Sequence, residues 1–252
     1  MPLNVTKGAV ISPPRILIYG PPGIGKTTFA AGAGKKSIFI PCEEGADVVG
    51  ADRFNLCEDV GAVMNALDEL INEDHNYKVV ALDSLDWFER LVWDQTCIDA
   101  GVPSIEQVGG GYGKGYTEAL KYHRAALGKL TQLRREKGMA CVLIAHSPVR
   151  KFEDPALEAF DRFEIKLQKL ASALFVEYSD VVGFCNVKTR TKETTSSFGQ
   201  KKIQAVSSGE RILNTAVKPH FVAKTRYPLP DELPLEWAAL MNAITQKDQK
   251  NG

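Results

Sequence analysis

From Arg15 to Gly32 the chain reads RILIYGPPGIGKTTFAAG. An apolar run stops at Gly20, a loop with two prolines and two further glycines follows, and Lys26, Thr27 and Thr28 open a helix-like run. Gly20, Pro21, Pro22, Gly23, Ile24, Gly25, Lys26 and Thr27 fit the pattern G-x-x-x-x-G-K-[ST] at every fixed position, with a strand before and a helix after. Glycines at Gly23 and Gly25 let backbone N–H groups turn inward around phosphate oxygens. The helix N-terminus adds a favourable dipole. Lys26 would reach the outer phosphates of a nucleotide, and the Thr27 hydroxyl would hold Mg²⁺. The other reading is a glycine-rich turn with an incidental lysine, and the strand–loop–helix context argues against it.

A strand feeding a helix through such a loop implies a parallel sheet, and the remaining pattern agrees. Apolar runs at Arg15–Tyr19, Ser37–Pro41, Tyr77–Leu82 and Met139–Ala145 read as buried strands. Helical periodicity covers Val60–Asn72, Leu85–Asp99, Thr117–Lys137 and Lys166–Tyr178. Asp180–Val187, Lys202–Val206 and Phe221–Thr225 read as short strands extending the sheet as hairpins. Two stretches lack periodicity, glycine-rich Gly101–Tyr116 and Ser147–Asp161, and long irregular loops in a compact domain are commonly functional or disordered. The expectation is one α/β domain over residues 1–252, core about 14–230, with a mostly parallel sheet flanked by helices and a frayed tail from Gln246.

Lysine plus arginine and aspartate plus glutamate number 31 each, so nucleic acid must be held by a local patch rather than a global field. Five scattered cysteines without a CxxC argue against a zinc site or disulfide framework and suit a reducing cytoplasm. No signal-peptide pattern or membrane-length apolar run occurs.

Lys78-Val79-Val80-Ala81-Leu82-Asp83 is an apolar strand ending in a carboxylate, the Walker B pattern, with Asp83 holding the metal directly or through water. Asp83-Ser84 also suits a helix N-cap. No [NT]-K-x-D guanine-reading motif is present, which favours ATP over GTP.

The order of these parts resembles the RecA-type ATPases, and most closely the compact RecA-like ATPases of phages linked to single-strand annealing and recombination. The resemblance covers about residues 14–230 and draws on IFIPCEEGAD, GYGKGY, CVLIAHS and FVAKTRYPLP. It implies that Glu43, or its neighbour Glu44, activates the attacking water, and that His146 is the sensor. Lys224 and Arg226 match a K-x-R element whose basic residues reach into the neighbouring subunit's nucleotide site. The two irregular stretches become DNA-binding loops, bearing Tyr112, Lys114 and Tyr116 in the first and Arg150 and Lys151 in the second. Pro41, often acidic in the family, and His146, often glutamine, depart from the pattern.

The resemblance thus implies a Mg²⁺- and ATP-dependent, DNA-stimulated ATPase. Its partners would be single-stranded DNA, further copies of itself in a ring or filament, and a single-strand-binding protein; its setting would be a bacterial host cytoplasm if phage-encoded. Each residue has a plainer reading. Glu43 and Glu44 suit solvated loop charges, His146 a satisfied core histidine, and Lys224 and Arg226 an exposed sheet edge. The glycine-rich loop suits a nucleotide lid or packed tyrosines. Arg150 and Lys151 suit solvated charges beside Phe152. Lys129, Arg134, Arg135 and Lys137 read as a solvated helix face, and Lys188, Arg190, Lys192, Lys201 and Lys202 as a basic hairpin of either use. Two alternative functions remain: an ATP-dependent assembly or regulatory protein without DNA, and a small-molecule kinase.

Overall fold

In a computed structural model, residues 12–45, 49–153, 158–195 and 201–245 are described, together with the side chains of all but 190–195 and 201–207. The expected frayed tail, part of the second irregular stretch and the side chains of Arg190, Lys192, Lys201 and Lys202 lie outside them.

Six strands form the parallel part of one sheet: β1 (Arg15–Gly20), β2 (Ser37–Pro41), β3 (Asp52–Arg53), β4 (Val79–Asp83), β5 (Ala140–His146) and β8 (Val181–Thr195). Their spatial order is β3-β2-β4-β5-β1-β8. The sheet then continues antiparallel through β9 (Lys201–Asn214) and β11 (Glu232–Pro234), while β10 (Lys224–Thr225) pairs with the start of β8. The fold is therefore the expected α/β type, with a mostly parallel sheet and antiparallel C-terminal strands.

Alternation along the strands divides the core in two. Leu17, Tyr19, Ile40, Leu82 and Leu143 face α2 (Val60–Asn72), α3 (Leu85–Ala100), α4 (Lys114–Gln132) and α5 (Lys169–Tyr178). Ile16, Ile18, Phe39, Ala81 and Val142 face α1 (Lys26–Ala31) and α6 (Trp237–Thr245). Local signals set the helix starts: the Asp59 carboxylate accepts from Ala62 N at 2.7 Å, capping α2.

Several expectations need correction. The Gly101–Tyr116 stretch is not structureless: Ile105–Gly110 forms short helical turns, Ile105 and Val108 are buried, and Lys114 already opens α4. Hydrophobic anchoring of Ile105 and Val108 outweighs the freedom of the surrounding glycines. The second stretch contains a hairpin, β6 (Val149–Phe152) against β7 (Phe160–Phe163), stapled by the Phe152–Phe160 ring contact. Two of the three expected terminal strands are longer than expected, because β8 and β9 continue as a two-stranded ladder to Thr195 and Lys201, while the third, expected over Phe221–Thr225, is only Lys224–Thr225. The basic helix face is not simply solvated: Lys129 pairs with Asp68, and Arg134 Nε donates to Pro13 O at 2.6 Å.

Candidate active site

The parallel register brings four strand ends to one edge. Gly20 lies opposite His146 across β1 and β5, and Pro41 opposite Asp83 across β2 and β4. Open α/β sheets bind ligands outside the carboxyl ends of their strands, and the glycine-rich loop leaves the sheet there. Beyond these ends lies a cleft of about 310 Å³, lined among others by Gly23, Gly25, Lys26, Thr27, Thr28, Glu43, Glu44, Asp83 and His146.

Gly23 and Gly25 have φ of +74° and +104°, which side chains with a Cβ rarely adopt. Pro22 and Gly23 are exposed on the loop's outer side, Pro21 is partly so, and Ile24 is buried in the core beneath. Gly20 has a different reason to be glycine. A Cβ there would lie 2.3 Å from Cys185 O, so its absence lets β8 run close beside β1.

Lys26 is buried, and Nζ donates to Gly20 O at 3.1 Å and Pro21 O at 3.0 Å. Burial lowers its pKa, so a phosphate oxygen arriving in the cleft would be a strong partner for an ammonium short of counter-charge. The Thr27 hydroxyl donates to Asp83 Oδ2 at 2.7 Å. The carboxylate thus turns toward the loop, and Ser84, at the N-cap of α3, makes no side-chain cap bond. Burial pushes Asp83 up from 3.8 to about 6, with the Thr27 hydrogen bond opposing. A hydroxyl and a buried carboxylate side by side are hard oxygen donors that fit Mg²⁺, so the proposed metal pair is brought together. The Asp83–Ser84 peptide bond is cis.

Glu43 Oε1 lies 3.9 Å from His146 Nε2. The other ring nitrogen, Nδ1, sits 3.1 Å from both Asp86 oxygens, and His146 N donates to Asp86 Oδ1 at 3.1 Å. Asp86 also pairs with Lys166 at 3.1 Å. Burial alone would raise the Asp86 carboxyl, but the His146 and Lys166 contacts outweigh it and hold it well below the usual range. His146 is thus neither a bare core histidine nor a free sensor: its ring is clamped from behind.

Beyond Asp86 lies a second cleft of about 370 Å³, walled by Asp86, Glu89, Arg90, Trp93, Tyr116, Arg150 and Lys166 to Lys169. Tyr116 and Arg150, from the two irregular stretches, meet here. Tyr116 packs edge-on against Trp93 with centroids 5.4 Å apart and donates to Glu106 at 3.2 Å. Arg150 sits 3.7 Å from Glu164. Glu89 is buried with both oxygens on Gln168 N at 3.0 Å, and burial lifts its pKa to about 7. Tyr112 and Lys114 line neither cleft: Tyr112 is fully exposed and Lys114 Nζ donates to Gly109 O. Lys151 is exposed on β6.

Lys224 and Arg226 lie far from this edge, beside the start of β8. Lys224 Nζ donates to Val176 O at 2.8 Å and Ser179 O at 2.9 Å, closing the end of α5. Arg226 pairs with Asp180 at 3.2 Å, an aspartate that also holds Arg15 at 2.6 Å. Sequence reading missed Arg211, which lines the nucleotide cleft from β9. It also missed α6, although Trp237, Leu240, Met241 and Ile244 carry helical spacing.

The sheet, the loop and the Thr27–Asp83 pair define a nucleotide-binding protein of the P-loop class. A family model described as an AAA domain matches residues 12–227, and the chain belongs to that family. No curated protein matches the chain. Among solved structures it is similar to the crystal structure of the RadB recombinase, at 14% identity over 84% of this chain and 86% of that one, with a TM-score of 0.46. No helix among the described residues is long and apolar enough to cross a membrane.

Proposed function

We propose that the protein is a RecA-like Mg²⁺–ATP hydrolase that binds single-stranded DNA and serves annealing or recombination, its hydrolysis linked to the strand. One observation carries the link. Asp86 lines the second cleft and bonds residues of both, His146 of the nucleotide cleft on one side and Lys166 of the second cleft on the other. The second cleft combines an aromatic pair, Trp93 and Tyr116, with Arg90, Arg150, Lys166 and Lys169. Stacking surfaces beside cations suit a single strand, and base stacking contributes about 1–3 kcal/mol per base.

In this reading Lys26 leaves the Gly20 and Pro21 carbonyls for the phosphates, and the loop N–H groups wrap around them. Thr27 and Asp83 would hold Mg²⁺, which would neutralise phosphate charge. Glu43 polarises the water. His146, fixed by Asp86, bears on Glu43 and so sets how readily that carboxylate turns to the water. For Lys224 and Arg226 to complete a neighbouring subunit's site, both would have to leave the internal partners described above.

The internal bonds of Tyr116 and Lys114 favour a second reading, in which the glycine-rich stretch is a packed support and the protein an ATP-dependent assembly switch without DNA. ATP hydrolysis measured with and without single-stranded DNA, with Lys26→Ala as the blank, separates the two. Stimulation that is lost in Tyr116→Ala and Arg150→Ala supports the DNA reading. Hydrolysis indifferent to DNA leaves the switch.

A further inference from the structure

We infer that Arg211 is a catalytic arginine supplied to the nucleotide by the same chain, reaching the phosphates from the C-terminal strand pair rather than from a neighbouring subunit. The inference rests on reading the cleft as an ATP site.

Arg211 belongs to β9, opposite Val187 of β8. Its backbone has little freedom. Leu235 N donates to Arg211 O at 3.0 Å, and Leu213, two residues on, is fully buried. Two glycines draw this part of the sheet close to the loop. A Cβ on Gly20 would meet Cys185 O at 2.3 Å, and a Cβ on Gly183 would meet the Leu213 side chain at 2.4 Å. A bulkier residue at Gly20 would push β8 away from the phosphate loop, and one at Gly183 would displace the buried Leu213 side chain of β9.

The side chain, by contrast, is exposed and reaches across the loop. Its Nη1 lies 2.9 Å from where a Cβ on Gly25 would stand, so the guanidinium sits directly over the loop at the residue whose φ of +104° calls for glycine. Among the described residues Arg15, Arg134, Arg150 and Arg226 each pair with a carboxylate, whereas Arg90, Arg124, Arg135, Arg162 and Arg211 do not, and of these five Arg211 lines the nucleotide cleft. A guanidinium placed beside a buried lysine, without a counter-ion, is arranged for an anion brought from outside, and its planar fork matches phosphate oxygens.

In hydrolysis the water oxygen bonds to the γ-phosphorus as the bond to the bridging oxygen breaks. The electron pair leaves with ADP, and the water proton passes to Glu43 or a phosphate oxygen. Arg211 makes and breaks no bond; it stabilises charge spread over the transferring group, the role of an arginine finger. The Lys224–Arg226 element would then be free to serve the fold at the far end of the sheet, where its partners already lie.

The test compares wild type with Arg211→Ala and Arg211→Lys for steady-state ATP hydrolysis and for the affinities of ADP and a non-hydrolysable ATP analogue. Hydrolysis should fall about 10³-fold in Arg211→Ala and stay low in Arg211→Lys. ADP affinity should stay within about threefold, which also reports an intact fold. The second arm co-expresses Arg211→Ala with Lys26→Ala. Arginine acting within its own chain predicts no recovery, since every site lacks one cation. Recovery of activity would place Arg211 in a neighbour's site and overturn the inference, as would hydrolysis in Arg211→Ala within threefold of wild type. A wild type that binds nucleotide without hydrolysing it refutes the ATPase reading instead. The affinity ratio of the ATP analogue to ADP then tests Arg211, which stands only if that ratio falls at least fivefold in Arg211→Ala.

Discussion

Replacing Asp83 by asparagine should remove metal-dependent hydrolysis and make the nucleotide-free protein more stable. Burial raises the Asp83 pKa from 3.8 to about 6. A carboxylate whose folded pKa is raised favours the fold fully below its unfolded pKa and loses that contribution as pH rises through the folded one. The difference of about 2.2 units is worth about 3 kcal/mol at 1.36 kcal/mol per unit, the cost at neutral pH of keeping this carboxylate charged while buried. Asparagine carries no such charge and still offers the Thr27 hydroxyl an acceptor. Urea denaturation at pH 7.5 should therefore show the variant up to about 3 kcal/mol more stable. At pH 5 most of the folded wild type is already protonated there, and linkage reduces the gap to roughly half. Comparing the two pH values cancels every group the proteins share and any fixed difference between the side chains. A gap that is absent, or the same at both pH values, would refute the account of Asp83 as a charge held against its solvation for the sake of a cation.

Glu43→Gln should bind ATP within about threefold of wild type while hydrolysis falls by about 10²–10⁴, the usual range for a lost general base; near-normal turnover removes Glu43 from the mechanism. Asp180→Ala leaves Arg15, Arg134 and Arg226 facing one another without their carboxylate, and should cost about 3–5 kcal/mol in urea denaturation. Although burial works against it, Arg15 holds the Asp180 pKa below 3.8, so wild type should lose this advantage as pH falls below that value. His123 is buried between Phe88 and Phe175, and burial lowers its pKa from 6.5 to about 4. The unfolded chain therefore binds the proton first, stability falls between about pH 6.5 and 4 by up to about 3 kcal/mol, and His123→Leu should flatten that part of the pH–stability curve.

The parts of the site legible in the sequence are those whose chemistry is local. Gly20 to Thr27 announce themselves because one backbone path needs glycines, a lysine and a hydroxyl at fixed spacing. Asp83 follows because a buried strand ending in a carboxylate is rare without a reason. The strands bearing them were legible from their apolar runs. What stayed hidden depends on register between distant strands. Arg211 reaches Gly25 because β8 lies beside β1 and β9 beside β8, and no spacing along the chain encodes that order. The clamp on His146 needs α3 to begin immediately after β4, which puts Asp86 beneath the end of β5. The glycine-rich stretch misled for the opposite reason. Six glycines suggest freedom, yet Ile105 and Val108, buried beneath them, fix the path.

On the proposed reading, the first turns of α3 would let the two clefts act on each other. Asp83 ends β4, and α3 starts two residues later, so Asp86, Glu89, Arg90 and Trp93 follow at intervals of one turn or less along one side. Asp86 is held by His146 and Lys166 together. A strand phosphate that drew Lys166 away would leave Asp86 to His146 alone, strengthening the ring's hold and changing its approach to Glu43. By linkage the effect is reciprocal: a nucleotide that turns Glu43 away from His146 must change the affinity of the second cleft by the same factor. A helix that joins the metal-side carboxylate to a basic, aromatic cleft within three turns needs no long pathway, because Asp86 of one cleft bonds His146 of the other directly.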